Sequence, residues 1–241
     1  MGNGIFVAAS GATARLLEMD VMSNNLANAS TIGHKKDQMT FESVEPENMA
    51  ARAGNDDKHF VKVKETTTNF NQGTMLRTNN PLDIALRGDG FLRIETPEGE
   101  RLTRDGRLIV GRDGTLRHSQ GHLVLDTKGE AIHLPPERVP NVAPDGRVLS
   151  GELEVATLDL VHVDLTEGLE RDSSGFFIAP GPDKIMADLT TEVLQGHLES
   201  GNANAVQSMV QLIELQRSYE SMHQVISTYK QMDESAVRIT R

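Results

Sequence analysis

Any chemistry in this chain must do without thiols, because the 241 residues include no cysteine, which leaves histidines, carboxylates, hydroxyls and lysines. Without cysteine there are no disulfides, thiolate metal sites or cysteine nucleophiles. The eight histidines are His34, His59, His118, His122, His133, His162, His197 and His223. His118 and His122 have metal-ligand spacing, but Gly121 and a strand-and-turn context take them off a helix. No His-Glu-x-x-His sequence occurs. They read as surface loop histidines. Gly88-Asp89-Gly90 lacks the third glycine of a dinucleotide fingerprint and precedes a strand pattern rather than a helix. It reads as a tight turn feeding Phe91 into a sheet. Ser227-Thr228-Tyr229-Lys230 matches Ser-x-x-Lys without its companion motifs. Glu42, Glu45 and Glu47, like Asp56 and Asp57, read as a solvated acidic surface and not as a paired acid and base. The expectation is no catalytic, cofactor-binding or metal residue and no small-molecule substrate.

Asn24-Asn25-Leu26-Ala27-Asn28 is a different kind of site. Three asparagines lower helix propensity. Either they cap a helix end, or their amides fix register in an assembly by penalising wrong pairings in an apolar seam. The second reading is preferred.

The elements that would position these amides follow from periodicity. From about Gly4 to Asn28 the pattern predicts a helix. Its seam is Ile5, Ala9, Ala12, Leu16, Met19 and Leu26, spaced by alternating fours and threes, with Ser23 in the polar slot. The stripe is thin, and such a helix should be loose without partners. Asn28 to Gly33 stops it. At the other end, Asn202 and Asn204 are candidate N-caps. Ala205, Met209, Leu212, Leu215, Tyr219, Met222, Ile226, Tyr229, Met232 and Ala236 then recur at a mean step near that of a heptad seam. Val206, Val210, Ile213 and Val225 widen the stripe. A charge at Leu212 or Ile226 should therefore abolish assembly.

Between the helices the period becomes two. Short apolar runs at Ile84 to Leu86, Phe91 to Ile94, Leu108 to Val110, Leu123 to Leu125, Ile132 to Leu134, Val148-Leu149 and Leu153 to Val163 predict strands. Glu98-Gly99, Asp105-Gly106, Asp113-Gly114, Lys128-Gly129 and Asp145-Gly146 predict tight hairpin turns. Phe60 to Lys64 alternates as a strand. Met39 to Ala53 reads as polar, and Ala50 to Lys58 as an exposed linker. The predicted fold is α+β: long N- and C-terminal helices pair as a coiled-coil-like unit around an inserted antiparallel β-rich domain. The segments are an assembly helix and Asn-rich turn (1–33), a variable linker (34–80), a β-rich outer domain (81–191) and a C-terminal assembly helix (192–241).

A net charge of −11 opposes binding to nucleic acid or anionic membranes. No apolar run approaches the roughly 18 residues of a membrane span. The first residues lack the basic and apolar regions of a cleavable signal.

Asn24-Asn25-Leu26-Ala27-Asn28-Ala29-Ser30-Thr31-Ile32-Gly33-His34-Lys35 closely resembles the N-terminal signature of bacterial flagellar rod and hook proteins, with His34 in place of the usual aromatic. Leu198-Glu199-Ser200-Gly201-Asn202-Ala203-Asn204, and Met209-Val210 through Gln216-Arg217-Ser218-Tyr219-Glu220, are similar to the family's C-terminal motifs. A central match runs from Pro81 to Leu92, then Thr103-Arg104-Asp105-Gly106. The resemblance implies a torque-transmitting structural subunit of the periplasm-spanning basal-body rod, whose terminal helices pack in a tubular core. It also implies export by the flagellar type III apparatus without a cleaved signal, and contacts with copies of itself and with other rod subunits. The compact length points to a proximal-rod subunit, with a distal-rod subunit as the alternative. The implied assembly residues are Ile5, Ala9, Ala12, Leu16, Met19, Asn24, Asn25, Leu26, Asn28, Met209, Leu212, Tyr219, Ile226 and Tyr229.

Overall fold

The computed structural model describes residues 3–44, 60–135, 139–164, 169–179, 181 and 184–239. Two helices bracket a β-rich middle, as an α+β fold. Helix α1 spans Asn3–Ala27 and α2 spans Ala205–Ile239. Strands β1 (Asp37–Val44) and β2 (Phe60–Thr68) form an antiparallel ribbon. The polar reading of Met39 onward is corrected here. Gln38, Thr40, Thr66 and Thr67 suit an exposed two-stranded ribbon, which needs little apolar alternation. The expected linker at Ala50 to Lys58 lies outside the described residues.

Later strands are β3 (Met75–Arg77), β4 (Ile84–Arg87), β5 (Phe91–Thr96), β6 (Gly99–Thr103), β7 (Leu108–Val110), β8 (Leu116–His118) and β9 (Leu123–Val124). Next come β10 (Asn141–Val142), β11 (Arg147–Ser150), β12 (Leu153–Thr157) and β13 (Leu160–Val163). Finally come β14 (Phe177–Ile178), β15 (Ile185–Ala187), β16 (Glu192–Gln195) and β17 (His197–Glu199). The main sheet runs β14-β6-β5-β9-β8-β7, and β13 pairs with both β5 and β15. Smaller sheets are β10-β11-β12, β16-β4 and β17-β3.

The chain divides into two compact units. One comprises residues 1–27, 37–69 and 204–241, the other 28–36 and 70–203. In the first, α1 packs against α2 and against β1 and β2. In the second, β5 supplies both faces of the core. Leu92 and Ile94 join Leu86, Leu116, Val148 and Leu158 on one side. Phe91 meets Leu102, Val161 and Phe177 on the other. Phe70, Phe91 and Phe177 close an aromatic triangle with centroids 5.3 to 5.7 Å apart.

Four turn expectations hold: Thr96 faces Gly99, Asp113-Gly114 joins β7 to β8, Lys128-Gly129 turns between the bridged Leu125 and Ala131, and Asp145-Gly146 joins β10 to β11. Asp105-Gly106 does not make a hairpin. The Ile84 N–H donates to the Gly106 carbonyl at 3.0 Å, so the chain leaves β6 to lie against β4. Ile132 to Leu134 is not a strand; it makes only an isolated bridge from His133 to Thr115. A Cβ at residue 106 would run into the Ile84 carbonyl. Gly106→Ala should therefore destabilise the β-rich unit by about 3 kcal/mol, measured by denaturant unfolding. An unchanged midpoint would remove close approach as the reason for glycine there.

Candidate assembly interface

In the helical unit, α2 hides one residue per turn. Ser208 and Leu215 are buried, and Leu212, Tyr219, Met222, Ile226 and Tyr229 are half-buried. Their spacing alternates four and three, so one heptad stripe is covered. Met222 Sδ lies 3.2 Å from where a Cβ on Gly11 would stand, which explains a glycine inside α1. On the face away from that stripe Val206 is 71% exposed, with Met209, Val210 and Ile213 near half, and farther along Val225 and Met232 are open on a separate flank. Asn204 caps α2, its Oδ1 accepting from the Gln207 N–H at 3.1 Å.

On α1, Ala12 is buried, and Ile5, Ala9, Met19 and Leu26 are half-buried. Leu16 is 52% exposed, so it stays off the surface covered within the chain. Ala14, absent from the expected seam, is buried instead. This follows from α1 contacting two neighbours, which covers more of its girth than one seam.

The asparagines divide. Asn24 is exposed on α1 and Asn28 is half-buried. Asn28 ends the helix: its carbonyl accepts from the Thr31 N–H at 3.0 Å. Asn25 is 3% exposed, and its amide is committed within the chain. Its Nδ2 donates to the Asp37 carbonyl at 2.8 Å, and its Oδ1 accepts from the Asp37 N–H at 2.9 Å. That two-way bond mimics a strand pair and holds the start of β1 to α1.

In the β-rich unit, the two signature segments meet. The Gly33 N–H donates to the Glu199 carbonyl at 2.8 Å, and the Asn202 N–H to the His34 carbonyl at 3.2 Å. Asn202, expected as a cap, instead accepts from the Lys36 N–H at 2.7 Å and donates to the Asn71 carbonyl at 2.9 Å. At the centre, Lys35 Nζ donates to Glu199 Oε1 at 2.6 Å, with side chains 1% and 0% exposed. The same oxygen accepts from the Gly73 N–H at 2.7 Å. Arg104 Nη1 stands 3.5 Å from Glu199 Oε2, and its guanidinium covers the Phe91 ring at 4.9 Å. Burial pulls both cations below their ordinary pKa values, while Glu199 pulls each back up. Lys35, Glu199 and Arg104 sit inside the quoted motifs, yet no spacing rule marks them as partners 164 residues apart.

His118, expected on the surface, is 0% exposed. Its Nε2 stands 3.2 Å from Asp105 Oδ2, and its ring meets Phe176 edge-on at 5.2 Å. His122 is half-buried and meets the same ring at 5.3 Å. Burial alone would raise the Asp105 carboxyl, but the facing His118 and Arg107 side chains outweigh it and bring it down to about 2. A depressed carboxylate pKa adds stability above its unfolded value, lost as pH falls through the folded one. Asp105 should thus contribute about 2 kcal/mol near neutrality, lost between roughly pH 4 and pH 2. Asp105→Asn should flatten that part of an acid-unfolding curve; an identical curve would contradict it. Among the described residues no three His, Asp or Glu side chains converge to hold a metal. Ser227 and Lys230 are exposed on α2.

Three family models match the chain. Residues 5–35 match the flagella basal body rod protein model, and 85–150 the flagellar hook protein FlgE/F/G D1 domain. Residues 194–239 match the flagellar basal body rod FlgEFG protein C-terminal region. The chain is 32% identical to the flagellar basal-body rod protein FlgF of Caulobacter vibrioides, over 98% of this chain and 97% of that protein. It is 31% identical to FlgF of Escherichia coli, covering 99% and 97%. To the flagellar basal-body rod protein FlgG of Borreliella burgdorferi it is 30% identical, covering 96% of each.

Proposed function

The chain belongs to the flagellar basal-body rod protein family, and from that membership we propose that it is a FlgF-like, non-enzymatic subunit of the proximal rod. Membership makes it a structural component of the basal body that assembles with other rod and hook-basal-body subunits. The finer reading is that α1 and α2 pair as a coiled-coil-like element and bury their outer stripes against neighbouring subunits. Torque would then pass through helix packing. The observation that carries it is the open apolar stripe of Val206, Val210 and Ile213 on the face away from the covered heptad stripe of the same helix. A solvated helix does not need two apolar stripes. The subunit would travel through the flagellar type III export apparatus without a cleaved signal. Leu16, Met209 and the half-buried Leu212, Tyr219, Ile226 and Tyr229 belong to this surface in the proposal.

The FlgG-like distal position is the second reading, favoured by 30% identity over nearly full length. Purified basal bodies probed with an antibody to this chain test both. Labelling at the proximal rod is expected. Labelling at the distal rod would select the second reading, and basal bodies without the chain would sink both.

A further inference from the structure

We propose that Glu199 makes the two signature segments a single latch: residues 28–36 and 197–202 dock on the β-rich unit together or not at all. The proposal does not rest on the assembly reading, because every contact lies within one chain and one compact unit.

Three stretches far apart in sequence converge. Residues 28–36 supply Lys35, the stretch 71–74 supplies backbone, and residues 197–202 supply the buried anion. The Glu199 carboxylate faces Lys35, the Gly73 N–H and Arg104 at once. The backbone repeats that geometry: Ser200 N–H donates to the Thr74 carbonyl at 2.9 Å, beside the Gly33 and Asn202 bonds. Lys35 Nζ also donates to the Asn71 carbonyl at 3.0 Å. Glycines permit the contact distance. A Cβ on Gly201 would stand 3.0 to 3.3 Å from the carbonyls of Ala29, Thr31 and Asn28, and one on Gly73 would strike the Ser200 carbonyl.

Electrostatics makes the docking conditional. Lys35 and Arg104 are both buried and lie near enough to repel each other. A buried cation without a counter-charge is driven to hydrate or to neutralise. Asp89 is exposed and Asp188 half-buried, so their attraction for Arg104 is screened by water. With the 197–202 strap displaced, Lys35 would lose its short ionic partner; its Asn71 bond and the Arg171 Nη2 bond to the Lys35 carbonyl at 2.6 Å would remain, and the drive to hydrate a buried cation would have to overcome them to carry 28–36 off the unit. With 28–36 displaced, Glu199 would lose its shortest bond. In the chain, the two segments directly follow α1 and directly precede α2, so the helices' attached ends would be released or held as a pair.

Hydrogen exchange of the full-length monomer tests this. The reporters are the amides of Thr31 and His34, whose N–H groups donate to the Asn28 and Thr31 carbonyls inside 28–36, and of Ser200, whose N–H donates to the Thr74 carbonyl, with Leu116 as an internal control, since its N–H donates to the Ile132 carbonyl within the unit's own core. Glu199→Gln should speed exchange at all three reporters together by at least ten-fold. Gly73→Ala changes no charge but drives a Cβ into the Ser200 carbonyl, and should also release all three. Should Glu199→Gln expose Leu116 as well, the Gly73→Ala pattern decides by the same criterion. Faster exchange at Ser200 with unchanged exchange at Thr31 and His34 overturns the latch.

Discussion

Ile213→Asp should leave the isolated chain folded and abolish its incorporation into rods. Ile213 is 52% exposed on α2, so in the monomer the aspartate stays in water and little packing is lost. Once that stripe is covered by a neighbouring helix, the same carboxylate would be buried without a partner, at several kcal/mol per subunit. In the proposed assembly every copy incorporated would carry that penalty. Val210→Asp, one turn away and also 52% exposed, should behave alike. Leu215→Asp is the contrasting variant. Leu215 is 8% exposed, so its replacement should unfold the helical unit itself. Leu212 and Ile226 are half-buried within the chain, and changes there would mix the two effects. Circular dichroism of the purified variants and rod content of basal bodies separate the outcomes. Intact rods and normal motility with Ile213→Asp would refute the assembly surface.

Breaking the buried ion cluster should have the largest effect on the fold. Glu199→Gln leaves Lys35 and Arg104 buried without their shared anion, and should cost about 3–5 kcal/mol. Lys35→Met should cost less. Glu199 then keeps the Gly73 N–H at 2.7 Å and Arg104 at 3.5 Å, and the methionine stem fills most of the lysine's volume. The double variant should be more stable than Glu199→Gln alone, because one stranded cation has gone. Urea unfolding of the four proteins in the cycle measures this. Equal single costs that simply add would mean that the residues act independently.

Much of the architecture was legible in the residues. Alternating steps of four and three mark α2 because one helix face must be apolar along its whole length, whatever it packs against. Gly99, Gly114 and Gly146 mark turns because each adopts a positive φ that disfavours side chains. Asp105-Gly106 has the same letters and a different outcome, since its glycine serves close approach to Ile84. The β1 strand escaped notice because an exposed ribbon carries polar residues on much of its surface.

Local pattern therefore determined the helices, most strands and the family signatures, since each depends on residues within a few positions of one another. Only the tertiary structure decided what the signatures do inside the chain. Asn25 closes a two-way bond with Asp37 that could equally have been made to another subunit. His118 looked exposed because its neighbours are polar, yet it is enclosed by Asp105 and Phe176 from connecting segments elsewhere in the unit. Lys35 and Glu199, 164 residues apart, become partners only because the sheet brings the start and end of its unit to one place. Charge pairing of that kind depends on distance in space, and no periodicity along the chain encodes it.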